Sequence, residues 1–140
     1  MDQNANNQEV IPVSGFNGIH FKAVGKIMLS QGDTESLTIQ ADAETRVRIH
    51  TEVKDGTLWI TQDTDWKDWT GFRLIDKGMT IYHLVMKDIR SITIAGVGSV
   101  DCAAINSDTL TFVLSGPGAL TVGEVNVNAL NVEMSGVGSV

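Results

Sequence analysis

The sequence predicts an all-β domain, a single-stranded parallel β-solenoid whose stacked coils are each about 20 residues long. Three observations lead there. One phrase recurs in three near-copies at equal spacing, the residues around it alternate apolar and polar, and glycines and β-branched residues are too dense for helix.

The phrases are AGVGSV at 95–100, SGPGAL at 115–120 and SGVGSV at 135–140, each twenty residues after the last. The match extends outward as columns: Ile92, Phe112 and Val132; Ile94, Leu114 and Met134; Val100, Leu120 and Val140; Cys102 and Val122; Leu110 and Leu130, with Arg90 breaking the last column. Polar positions such as Ser91, Thr111 and Asn131 lie between them, the period-two signature of strands with one buried face. Coils stacked about 4.8 Å apart would turn each column into a line of like side chains.

In such a stack Gly96, Gly98, Gly116, Gly118, Gly136 and Gly138 occupy corners, where a sharp turn can require positive φ and a side chain would meet the next coil. Pro117 suits a turn of fixed φ and does not belong in a central strand. A phosphate cradle fits poorly, because the third glycine of a dinucleotide fingerprint is missing and a strand rather than a helix follows.

A fainter copy lies near the front. IHFKAVGKIML at 19–29 overlays ITIAGVGSVDC at 92–102, with Ala23 at the place of Gly96 and Gly25 at the place of Gly98. Between these segments, SQGDTES at 30–36 and KDGT at 54–57 are turn sequences, the second an Asp-Gly hairpin signal, so some antiparallel hairpins are expected in the N-terminal half. Strands are expected near 36–41, 46–53, 58–61 and 80–86.

The 140 residues make one domain, 13–140, preceded by a polar lead at 1–12 that is expected to be unstructured or the remainder of a removed targeting segment. The net charge is −7, and the last fifty residues hold no Lys or Arg, so no basic surface for nucleic acid exists. No stretch approaches the roughly 18 apolar residues of a membrane span. The single Cys102 sits at an apolar strand position and reads as a small buried hydrophobe.

With those residues in view, the chain resembles the bacterial family of the putative auto-transporter adhesin, head GIN domain. The resemblance rests on VSGFNGIHFKAVGKIMLSQGDTESLTIQAD at 13–42, TEVKDGTLWI at 51–60 and the repeated Ser-Gly-x-Gly phrases. It implies a right-handed parallel β-helix, exported to the periplasm, outer membrane or cell surface, with no catalytic residues to carry over. Ala23 departs from a usual glycine, and the sequence stops at Val140 where relatives continue through more coils.

A search for chemistry finds none that an enzyme would need. No pair of acids recurs on adjacent coils: Asp101 faces Thr121, and Thr93 faces Val113 and Glu133. His20, His50 and His83 are far apart and form no metal-ligand spacing, so no metal, cofactor or catalytic role is assigned. One stretch stands out, TQDTDWKDWTGF at 61–72. There Asp63, Asp65 and Asp68 accompany Trp66, Trp69 and Phe72, a set that either caps the solenoid's open side or stacks on and hydrogen-bonds a sugar.

The leading expectation is a non-enzymatic envelope or surface module that serves adhesion or scaffolding. The alternative is a glycan-binding protein, less readily a glycan-cleaving one, that uses residues 63–72. The partners considered are carbohydrate, an envelope protein, and a second copy paired through the C-terminal coil, whose strand edge carries no guarding Lys or Pro.

Overall fold

Alternation of apolar and polar side chains makes strands wherever a neighbouring strand can take up the backbone hydrogen bonds. The computed structural model describes residues 8–41, 46–62, 80–135 and 138–139. In chain order the strands are β1 (Gln8–Ile11), β2 (Gly18–Lys22), β3 (Val24–Gln31), β4 (Ser36–Gln40), β5 (Ile49–Lys54) and β6 (Thr57–Gln62). They continue with β7 (Ile81–Met86), β8 (Ser91–Ile94), β9 (Val97–Leu114), β10 (Gly118–Met134) and β11 (Gly138–Ser139). All belong to one mixed sheet with the path β1-β4-β7-β3-β9-β8-β2-β6-β5, and β10 and β11 extend it from β9.

The sheet curls because one edge of β9 serves two strands in turn. Its first residues pair in parallel with β3 (Gly25 opposite Gly98, Leu29 opposite Cys102), and its last pair with β8 (Ile92 opposite Phe112). Along its whole length β9 pairs in parallel with β10, from Gly98 opposite Gly118 to Leu114 opposite Met134. Gly118 in turn faces Gly138 of β11. The three phrases therefore lie one above another, and the N-terminal copy lies beneath them in the register its sequence suggests, Ile19 opposite Ile92 and Val24 opposite Val97.

The sheet is mixed rather than uniformly parallel, and the difference has local causes. Asp55 (φ 54°) and Gly56 (φ 77°) form a two-residue turn with both φ values positive, which folds β5 back on β6 as an antiparallel hairpin. β4 lies antiparallel to both β7 and β1. Four residues of the stretch expected to be an irregular lead, Gln8–Ile11, form β1, because β4 offers an edge that only a strand can satisfy.

The core is the inside of the curl. Ile19, Ile92 and Phe112 form one buried line, with Leu58 beside Ile19; Phe21, Ile94 and Leu114 form a second, with Ile60 beside Phe21. Phe21 meets Tyr82 edge to face, with ring centroids 5.2 Å apart. Arg90 stays exposed because β8 begins only at Ser91, and Ile89 turns inward instead. In β10 the columns continue with exposed side chains: Leu130, Val132 and Met134 are 51%, 46% and 41% exposed.

Candidate functional site

Period two dictates the outward face as firmly as the inward one. Leu58 and Ile60 are fully buried, so Trp59 between them must point out of the sheet, where it is 37% exposed. The register sets it in a row that crosses five strands and ends in β10: Glu52, Trp59, His20, Thr93, Val113 and Glu133. His20 stacks on Trp59 from the β2 side, with ring centroids 4.1 Å apart and planes 28° from parallel.

Over the β5–β6 hairpin, Trp59 also lines a cavity of about 300 Å³ together with His50, Thr51, Glu52, Lys54 and Thr61. The antiparallel register puts His50 opposite Thr61 and Lys54 opposite Thr57 on this face. The Thr61 hydroxyl donates a 3.5 Å hydrogen bond to the His50 carbonyl oxygen. Partial burial, then the nearby Lys22 ammonium, holds the His20 pKa below its ordinary value, so the stacked imidazole is neutral at neutral pH. The result is an aromatic face rimmed by a carboxylate, an ammonium, an imidazole and a hydroxyl.

Asp63, Asp65, Trp66, Asp68, Trp69 and Phe72 lie outside the described residues, as does Gly136. The corner glycines fall into two stacks, Gly25–Gly98–Gly118–Gly138 and Ala23–Gly96–Gly116. A Cβ on Gly96 would run into the Ala23 carbonyl oxygen, one on Gly116 into that of Gly96, and one on Gly118 into that of Gly98. Gly25 has positive φ (151°), whereas at Gly96, Gly98, Gly116 and Gly118 close approach between layers, not a left-handed turn, excludes a side chain. The Pro117 carbonyl accepts a 3.2 Å bond from the Gly98 N–H.

The remaining polar groups hold the layers together. Lys26 Nζ lies 2.9 Å from Asp101 Oδ2, and His83 Nε2 is 3.1 Å from Gln40 Oε1. Asn126 Nδ2 donates to Asn106 Oδ1 at 3.0 Å, and Asn128 Nδ2 to Asp108 Oδ1 at 2.6 Å, each across a twenty-residue step. Cys102 is buried, its thiol donates to the Ala104 carbonyl oxygen at 3.2 Å, and burial pushes its pKa up. Among the described residues no three His, Cys, Asp or Glu side chains come together as metal ligands would.

Sequence reasoning sets Trp66 and Trp69 apart and passes over Trp59. The signal is present, since an aromatic between two inward residues of a strand must face out. Its partner is not legible, because His20 reaches Trp59 only through the pairing of β2 with β6.

A family model described as "Putative auto-transporter adhesin, head GIN domain" matches residues 15–140. No curated protein sequence matches significantly. Among solved structures, a putative adhesin from Bacteroides fragilis superposes with a TM-score of 0.83 at 24% identity, covering 94% of this chain and 59% of its own. A putative lipid binding protein from Parabacteroides distasonis gives 0.66 at 18% identity, covering 89% of this chain and 53% of its own. A putative cell adhesion protein from Clostridium sporogenes gives 0.59 at 14% identity, covering 94% and 96%. The chain thus spans a little over half the length of the first two, and the likeness is one of fold. No helix among the described residues is long and apolar enough to cross a membrane.

Proposed function

We propose that this chain, which belongs to the putative auto-transporter adhesin, head GIN domain family, is a non-enzymatic module of the bacterial cell envelope or surface. It works by presenting an extended sheet face for adhesion or scaffolding. The observation that carries this reading is the parallel register at twenty-residue steps, Gly98 to Gly118 to Gly138, which lines up outward side chains in rows across successive layers. The same register supports taking the stacked part as a right-handed parallel β-helix, the hand that parallel crossovers adopt almost without exception. A rigid surface of this kind suits contact with a partner over many strands.

The test is placement and contact. In a bacterium expressing the protein, surface protease digestion and fractionation should find it in the envelope, and the purified chain should bind intact cells or isolated envelope. A protein confined to the cytosol, or one that binds neither, overturns the reading.

Exposed apolar side chains on β10 support a second copy as one partner. Among the described residues β10 is paired only to β9 from Leu120 onward, and Leu130, Val132 and Met134 present apolar surface beside that edge. Two such edges match in composition and spacing. Light scattering should show concentration-dependent dimers, and a monomer at about 50 μM, far above the Kd of a stable interface, refutes self-association.

A further inference from the structure

We propose that the cavity over the β5–β6 hairpin is a sugar-binding site, in which one pyranose ring of a neutral glycan stacks on the Trp59 indole. This names a ligand class for the adhesive reading and rests on it.

A pyranose is amphipathic in a specific way: its C–H bonds make an apolar face and its hydroxyls form a polar rim. The hairpin offers the complement. The indole of Trp59 faces out although its neighbours Leu58 and Ile60 are fully buried, and His20 braces it from the β2 side. Trp59 also lines the cavity, together with residues of β5. An indole braced by a stacked ring and lining a cavity is held in position for a flat apolar partner, with little side-chain entropy left to lose on binding.

The rim supplies both halves of hydrogen bonding. The Glu52 carboxylate accepts from two hydroxyls, Lys54 donates, and the Thr61 hydroxyl, whose proton goes to the His50 carbonyl oxygen, accepts. The cavity, about 300 Å³, is at the small end of ligand pockets and suits one ring. Among the described residues β5 is the last strand on the sheet path, so the rest of a glycan can run past it. A carboxylate on the rim of a chain with net charge −7 disfavours an anionic ligand and favours a neutral hydroxylated one.

The experiment is an NMR titration of the whole chain with methyl glycosides of glucose, galactose, mannose and N-acetylglucosamine at about 10 mM, enough to load a site of about 1 mM Kd. At least one should shift the Trp59 indole N–H and the amides of Glu52 and Thr61 saturably. Trp59→Ala should weaken binding at least about tenfold, and Glu52→Gln should weaken it severalfold without disturbing the fold. The double variant Trp66→Ala, Trp69→Ala should bind as the parent does. Absence of shifts with all four sugars overturns the proposal, as does unchanged affinity in Trp59→Ala. Should Trp59→Ala not fold, unchanged affinity in Glu52→Gln overturns it. Shifts confined to the Trp66 and Trp69 indoles overturn this site, yet leave a glycan-binding adhesive module standing. Failure of the envelope-placement test would leave the titration result intact.

Discussion

Replacing Gly118 by Ala isolates what holds the layers in register. Gly118 does not have positive φ, so alanine is acceptable to its own backbone. Its Cβ would nevertheless collide with the Gly98 carbonyl oxygen, with the carbonyl carbon 3.2 Å away and Leu114 Cδ1 at 3.4 Å. The obstacle is backbone, which cannot rotate aside as a side chain can. Relief requires β9 and β10 to separate locally, with strain of about 1–3 kcal/mol and the weakening of one or two ladder hydrogen bonds worth about 1 kcal/mol each. The expected loss is about 3 kcal/mol. At about 3 °C per kcal/mol for a domain of this size, Tm falls by about 10 °C. Urea denaturation with an unchanged m-value, alongside a thermal melt, measures it. Gly15→Ala is the contrast: Gly15 has φ of 77° but nothing within 4 Å of the place a Cβ would take, so only backbone strain of about 1 kcal/mol should appear. A loss below about 0.5 kcal/mol for Gly118→Ala would refute the argument from close approach.

Phe112 and Val132 share one column but are 0% and 46% exposed, so Phe112→Ala should cost about 3–5 kcal/mol and Val132→Ala less than about 1 kcal/mol in the same denaturation assay. The Tyr82 hydroxyl is buried with no hydrogen-bond partner among the described residues, and burial drives its pKa far above the ordinary range. Tyr82→Phe should therefore stabilise the protein by about 1 kcal/mol, and a clear destabilisation would show that the hydroxyl has a partner. The His20 pKa is depressed in the folded chain, so below the ordinary imidazole value the unfolded chain binds more protons. Its contribution to stability is full above pH 6.5 and falls away as pH drops through the folded pKa. NMR titration of the ring should give a midpoint below 6.5, and His20→Gln should flatten that part of the stability profile.

Much of this architecture is written in single segments. The alternation of ITI at 92–94 and TLWI at 57–60 sets which side chains face in, because the pleat gives successive residues opposite sides whatever the strand's neighbours are. The repeat spacing sets the register of β9 on β10, since a slip of one residue would turn Phe112 and Leu114 out to water. The Asp55–Gly56 turn announces its hairpin for the same local reason.

Other features depend on strands far apart in the chain and on what covers them. That β4 runs antiparallel to β7, that Gln8–Ile11 joins it as a strand, and that His20 lies against Trp59 are results of pairing across long loops, for which no short-range pattern exists. Burial, too, is a property of the stack: Phe112 and Val132 obey the same periodicity, but among the described residues only Phe112 is paired on both sides. The sequence alone determined an all-β chain whose similar segments pair at twenty-residue steps, because strand period and repeat spacing are local. Only the tertiary structure decided the mixed edges of the sheet, the exposure of side chains on β10 and the aromatic platform. Each of those requires knowing which strands meet, and that is settled by the closure of the whole sheet.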